Sequence, residues 1–433
     1  MFNHRQIWQL ALPMIISNIS TPLIGLVDTA VMGHLSSPKF LGGVAIGSMI
    51  FSFLYWGFGF LRMSTTGLTA QAFGQNNPTE MAAILYRALL IAAFIALMLL
   101  LLQKPLVFTS FWIIQSSPSI ENLGIDYFNI RIWSAPATLC LYAISGWFIG
   151  LQNVRSPLAI VITTNLLNIA LDLLFVVHLQ LAIQGVALAS VIAEYIGLVL
   201  AIVLLVRKCR YLSHHPHWVN ILDIGKLRSL LFINQNLFIR TLCLIFAFAF
   251  FTTQSAKFGE LILAANTVLL NFQLFMAYAM DGLANAAEAL VGRAIGSKNK
   301  KLLKYSILTA GLWSFAVAVI FSLSYFYFGQ SIINLLTDLQ SVRTKAGEYL
   351  PWLIFLPLAS FICFILDGVF IGATLSKEMR NTMLFSLLCC FLPAWYFSLP
   401  LQNHSLWIAL TIFMLARSLS MSVVFIIKFK SLR

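Results

Sequence analysis

Gly146-Trp147-Phe148-Ile149-Gly150 returns 222 residues later as Gly368-Val369-Phe370-Ile371-Gly372. At the same offset Val186-Ala187-Leu188 matches Ile408-Ala409-Leu410, and Gly74, within Gln-Ala-Phe-Gly-Gln-Asn, falls on Gly296, within Arg-Ala-Ile-Gly-Ser-Lys. Three matches at one spacing, each at the same place within its half, mark an internal duplication. The copies flank a polar stretch near the midpoint, roughly 207–228. The predicted organisation is an amino-terminal lobe over 1–210, a linker over 211–226 and a carboxy-terminal lobe over 227–433.

The medium that surrounds these halves follows from composition. Of 433 residues, 60% are hydrophobic and 9% charged, against about 25% charged in an average soluble domain. Twelve helix-length apolar stretches cover roughly 7–33, 43–72, 83–103, 127–150, 157–179, 182–206, 228–253, 261–290, 305–328, 350–372, 382–400 and 405–427. None alternates as a barrel strand does, and residues 106–114 read as an interfacial segment. The first stretch contains Pro22 and Asp28 and lacks a small-residue cleavage pattern, so it reads as a retained helix rather than a signal peptide. Six crossings per half put both amino ends on one side, which makes the repeats parallel, related by an axis along the membrane normal. The expected fold is all-α and integral to the membrane, with twelve transmembrane helices in two six-helix bundles.

Net charge is +13. Of 27 Lys and Arg, eighteen fall on the side that holds both termini and five on the other. Basic loops mark the cytoplasmic face, so topology accounts for the charge without nucleic acid, and both termini are expected in the cytoplasm. The six cysteines lack zinc or disulfide spacing. His214, His215 and His217 read as a solvated linker, and the remaining histidines are too scattered for catalysis. No enzyme activity and no metal are expected.

Six acids lie within the apolar stretches: Asp28, Asp172, Glu194, Asp281, Glu288 and Asp367. A charge at the bilayer centre costs at least about 2.5–3.5 kcal/mol, so each is a candidate for function. On the fifth helix Asn165, Asn168 and Asp172 are spaced i, i+3 and i+7 and share a face. The corresponding residues of the second half are Leu387, Cys390 and Ala394, so only one half carries this polar face. Asp28 lies six residues beyond Pro22, where a missing backbone hydrogen bond permits a bend. Two carboxyls in a poorly hydrated cavity raise one another's proton affinity; the alternative is that these polar groups join neighbouring helices. In the second half Asp281, Glu288 and Asp367, with Arg240 and Arg417 as counter-ions, read as a neutralised polar network. Arg62, Arg131 and Glu194 read the same way in the first half.

Leu26-Val-Asp-Thr-Ala-Val-Met-Gly-His34, the second-helix run from Phe58 to Gly74, and Asp281-Gly-Leu-Ala-Asn-Ala-Ala-Glu-Ala-Leu-Val-Gly292 resemble the DinF branch of the multidrug and toxic compound extrusion (MATE) transporters. The resemblance covers essentially the whole chain. It implies a V of two lobes around a central cleft, alternating access, and a proton-linked site formed by Asp28, Asn168 and Asp172, with bending at Pro22 linked to protonation. Tyr127 is carried over to that site by alignment. The implied activity is secondary antiport, expelling organic and often cationic compounds as protons enter, with Asn165 and Asn168 orienting the two carboxyls. Sodium is the alternative coupling ion, and a lipid-linked precursor the alternative cargo. No other cofactor is expected. The implied partners are small organic molecules and the bilayer of a bacterial inner membrane, with the chain acting as a monomer.

Overall fold

Asn77 and Asn299, also 222 residues apart, each begin a helix by accepting a backbone N–H three residues ahead, from Glu80 at 3.0 Å and Leu302 at 2.9 Å. That arrangement is an N-cap, worth about 1 kcal/mol. Asn76 and Lys298, just before the caps, both have positive φ, 53° and 52°. The same correspondence holds for Gln152 and Thr374 (60° and 56°) and for Gln180 and Gln402 (54° and 52°). The duplication is therefore written in the turns as well as in the motifs.

The computed structural model describes residues 4–33, 38–114, 117–212 and 221–430; side chains at 21, 23, 24, 26, 28–33, 38 and 209–212 lie outside the described set. All of the regular structure among the described residues is helical. The first half holds α1 (His4–Gly33), α2 (Pro38–Gly57), α3 (Phe60–Gly74), α4 (Pro78–Leu101), α5 (Gln103–Ile114), α6 (Pro118–Arg131), α7 (Ala135–Gly150), α8 (Arg155–Asp172) and α9 (Ala182–Leu212). The second holds α10 (Ile224–Lys257), α11 (Glu260–Gly296), α12 (Lys300–Leu336), α13 (Gln340–Gly372), α14 (Ser376–Phe385), α15 (Leu392–Ser398) and α16 (His404–Lys428). Eleven spans among the described residues are long and apolar enough to cross a membrane. In that count α2 with α3, α6 with α7, and α14 with α15 each form one span. Helix α1, 30 residues long, completes six per half. Helix α5 has 12 residues, about 18 Å of helix, too short to cross.

The chain divides into two compact units, residues 16–230 in one and residues 1–15 with 231–433 in the other. In the first, Trp147 and Phe148 are fully buried beside Leu85 and Ile84. The Trp147 indole N–H donates to the Met81 carbonyl at 2.8 Å. The glycines of the repeated motif explain how α7 reaches α3: a Cβ on Gly146 would lie 2.4 Å from the Arg62 carbonyl oxygen, and one on Gly150 2.8 Å from that of Thr66. In the second unit Gly368 and Gly372 bring α13 equally close to α11, with a Cβ 2.2 Å from the Ala284 oxygen and 2.5 Å from the Glu288 oxygen. Such small-residue seams let backbones meet where lipid supplies no hydrophobic drive between helices.

Candidate functional site

Helix α8 reaches Asp172 as regular α-helix and then continues as a π-helical turn over Leu173–His178. Such turns are rare and concentrate at functional sites. Asp172 is fully buried and Asn168 nearly so, whereas Leu166, on another face, is 62% exposed. The helical spacing thus places Asn165, Asn168 and Asp172 on the inward side of α8. The Asn165 amide N–H donates to Ser20 Oγ of α1 at 3.0 Å, and that of Asn168 to Ser190 Oγ of α9 at 3.1 Å. Ser20 in turn donates to the Ser17 carbonyl at 2.8 Å. Both amides therefore join helices, as the bland reading of these residues expected. Each does so through its nitrogen, and the buried Asn168 Oδ1 carries no hydrogen bond.

Helix α1 continues through Pro22, which is half-buried. Asp28 lies on the same helix, and its side chain falls outside the described residues. Tyr127 is buried on α6 against α2: a Cβ on Gly47 would meet its ring at 2.4 Å, and its hydroxyl accepts from Ser48 Oγ at 3.3 Å.

Next to Tyr127 the same unit holds an ion pair, Arg131 of α6 with Glu194 of α9. Thr138 donates to the other carboxylate oxygen, Arg131 also donates to Ser134, and Ser134 shares a 2.8 Å hydrogen bond with the Tyr55 hydroxyl. The guanidinium lies 5.7 Å from the ring centres of both Phe51 and Tyr55. Arg131 and Glu194 were legible, with Arg62, as members of a neutralised network; their pairing with each other and their hydroxyl partners were not, because Ser and Thr are ordinary residues in a membrane helix. Ser20 and Ser190, which hold the two asparagines, went unnoticed for the same reason.

In the other unit Asp367 Oδ2 accepts from two guanidiniums, Arg240 of α10 and Arg417 of α16, the latter at 2.8 Å. Arg417 also lies 5.6 Å from the Phe413 ring centre. Glu288 is buried on α11, while Asp281 on the same helix is exposed and within electrostatic reach of Arg417. Of the network expected from Asp281, Glu288 and Asp367 with Arg240 and Arg417, the structure shows the ion pairs that join Asp367 to the two arginines. Among the described residues no cluster of three or more His, Cys, Asp or Glu side chains has the arrangement of a metal site. His214, His215 and His217 lie outside them.

Two duplicated halves of long apolar helices, each holding buried ion pairs within it, define a multi-pass membrane protein. The MatE family model matches residues 13–174 and again 237–396, one match per half, and the chain belongs to this family of membrane transporters. It is therefore not an enzyme. It is 41% identical over 425 residues to DNA damage-inducible protein F of Escherichia coli, covering 97% of this chain and 91% of that protein. A probable multidrug resistance protein NorM of Bacillus cereus is 22% identical over 92% of this chain and 87% of its own. Among solved structures, a MOP superfamily transporter from Pyrococcus furiosus superposes with a TM-score of 0.89 at 17% identity, covering 99% of this chain and 96% of that one. A Vibrio cholerae MATE transporter superposes at 0.86 and 20% identity, covering 99% and 97%. These likenesses establish the all-α membrane fold.

Proposed function

We propose that this chain is a secondary active exporter that expels organic, often cationic, compounds in exchange for protons entering the cell. Asp172 and Asp28 carry the proton, Asn165 and Asn168 hold α8 in register with α1 and α9, and Pro22 permits α1 to bend. In this reading the chain lies in a bacterial inner membrane with both termini in the cytoplasm, the orientation its basic loops favour. The observation that carries the reading is the fully buried Asp172 where α8 passes from α- to π-helix. An intramembrane carboxyl at an irregular turn couples a change of charge to a change of helix geometry. Energetically, one charge moved through 100 mV supplies about 2.3 kcal/mol, enough for a concentration ratio of roughly fifty.

The test is ethidium-type dye export from liposomes holding the reconstituted protein, under separately imposed pH and sodium gradients. Wild-type protein exports under the pH gradient without sodium, and Asp172→Asn and Asp28→Asn abolish that export. Undiminished acid-driven export in both variants refutes the assignment. Sodium is the second reading, supported by the buried Asn168 Oδ1 without a hydrogen bond, an oxygen of the hard type such a cation takes. Export that requires sodium, with the pH gradient intact, selects it.

A further inference from the structure

Helix α5 does not cross the membrane, yet between it and α6 lies a cavity of about 610 Å³, within the size range of small-ligand sites. Its wall contains Lys104, at the start of α5, and Glu121, in the first turn of α6. Neither side chain takes part in an ion pair among the described residues. Phe108 and Trp112 line the same cavity and are 73% and 69% exposed. Gly124 fixes the close approach of the two helices, because a Cβ there would lie 2.6 Å from the buried Phe111 ring. The 24 residues of α4 separate this end of the unit from the Glu80–Lys226 pair at the other, about 36 Å. The cavity therefore lies at a membrane–water interface, where aromatic side chains ordinarily sit at headgroup level.

We propose that this cavity is a binding site for a zwitterionic phospholipid, its phosphate on Lys104 and its ammonium on Glu121. One cation and one anion in the same wall, neither in an ion pair among the described residues, match a headgroup that carries one charge of each sign. An anionic headgroup would leave Glu121 facing like charge, and a cationic one would do so at Lys104. The exposed Phe108 and Trp112 rings flank the glycerol and upper acyl region, which commits the site to a lipid rather than to a soluble zwitterion. With both charges met, α5 is fastened to the interface and to the start of α6. The site is distinct from the polar face of α8 and does not depend on the coupling ion.

The full-length protein, delipidated in detergent, is offered phosphatidylethanolamine and phosphatidylglycerol in equal amounts, and bound lipid is counted by native mass spectrometry. Retention of the ethanolamine lipid over the glycerol lipid by about tenfold is expected, the value of one charge-assisted hydrogen bond. Glu121→Gln should erase that preference, and Lys104→Gln should lower retention of both lipids. Thermal unfolding in lipid-free detergent shows whether the variants are folded, and the wild-type preference tests the site without them. Equal retention of the two lipids by wild-type protein overturns the proposal, as does an unchanged preference in folded Glu121→Gln. Displacement of the lipid by an equal concentration of water-soluble phosphoethanolamine overturns the assignment to a lipid.

Discussion

A single methyl group at Gly146 tests the seam on which the amino-terminal bundle rests. In Gly146→Ala the new Cβ would stand 2.4 Å from the Arg62 carbonyl oxygen and 3.1 Å from the Arg62 Cα and carbonyl carbon. All three are backbone atoms of a packed helix, so no rotamer relieves the clash. To restore even 3.0 Å, α3 and α7 must move apart by about 0.6 Å, along a seam that includes Gly150 and the Trp147 hydrogen bond. Overpacking of this kind costs about 1–3 kcal/mol. In a unit of some two hundred residues that lowers the melting temperature by about 2–12 °C. Gly311→Ala on α12 is the control, since a Cβ there meets nothing within 4 Å. Ordinary helix propensity should leave that variant unchanged or up to about 1 kcal/mol more stable. The assay is the fraction of detergent-solubilised protein that stays monodisperse after stepwise heating, ranked across wild type and the two variants. A Gly146→Ala protein that melts at or above wild type refutes the reasoning.

The two buried ion networks make separable predictions. Glu194→Gln strands the Arg131 guanidinium among Phe51, Tyr55 and Thr138, where both members of the pair are largely buried (12% and 15% side-chain exposure), and is expected to cost about 3–5 kcal/mol; Arg131→Met with Glu194→Leu should recover most of that loss in the same heating assay, and no recovery would show that the pair is not the cause. Arg240→Met leaves Asp367 still held by Arg417 and should cost about 1–3 kcal/mol. The double variant Arg240→Met/Arg417→Met strands the carboxylate and should lose more than the two single losses combined; strict additivity would mean that the two arginines do not share it.

The membrane fold was legible because its causes are local and repeated: long apolar runs, matched glycine motifs and a fixed offset between halves. Gly146 and Gly368 were visible as equivalents before it was known that each rests on a backbone carbonyl. The polar face of α8 was also legible, because i, i+3, i+7 spacing fixes a direction on any helix. The partners of its residues were not. Asn165 bonds Ser20 across 145 positions and Asn168 bonds Ser190 across 22, and no sequence period links a serine on one helix to an asparagine on another. The π-helical turn after Asp172 was hidden for a different reason. Leu173-Leu-Phe-Val-Val-His178 suits an α-helix equally well, and the change of winding is decided by packing. The cavity at α5 arises from helix placement, which composition does not encode.

The duplication itself separates what holds the protein up from what it does. Where the halves agree, the shared residues solve problems of backbone: glycines at seams, asparagine caps at 77 and 299, turns of positive φ at 76 and 298. Where charges are buried, the halves disagree at every position. Asp172 stands opposite Ala394, Glu194 opposite Ala416 and Arg131 opposite Leu353; in the other direction, Asp367 stands opposite Ser145 and Arg417 opposite Tyr195. A buried charge costs several kcal/mol unless it is paired, so a charge that served only to fold a six-helix half would have little reason to be absent from its twin. Each half closes without the other's ions, which shows that this architecture does not require them. In the Arg131–Glu194 pair and the Arg240–Asp367–Arg417 triad, cation and anion are in direct contact. Asp172 is fully buried at the point where α8 turns π-helical, beside an asparagine that bonds Ser190 of α9. That placement, with an alanine at the equivalent position of the other half, sets the α8 carboxyl apart as the group to perturb first.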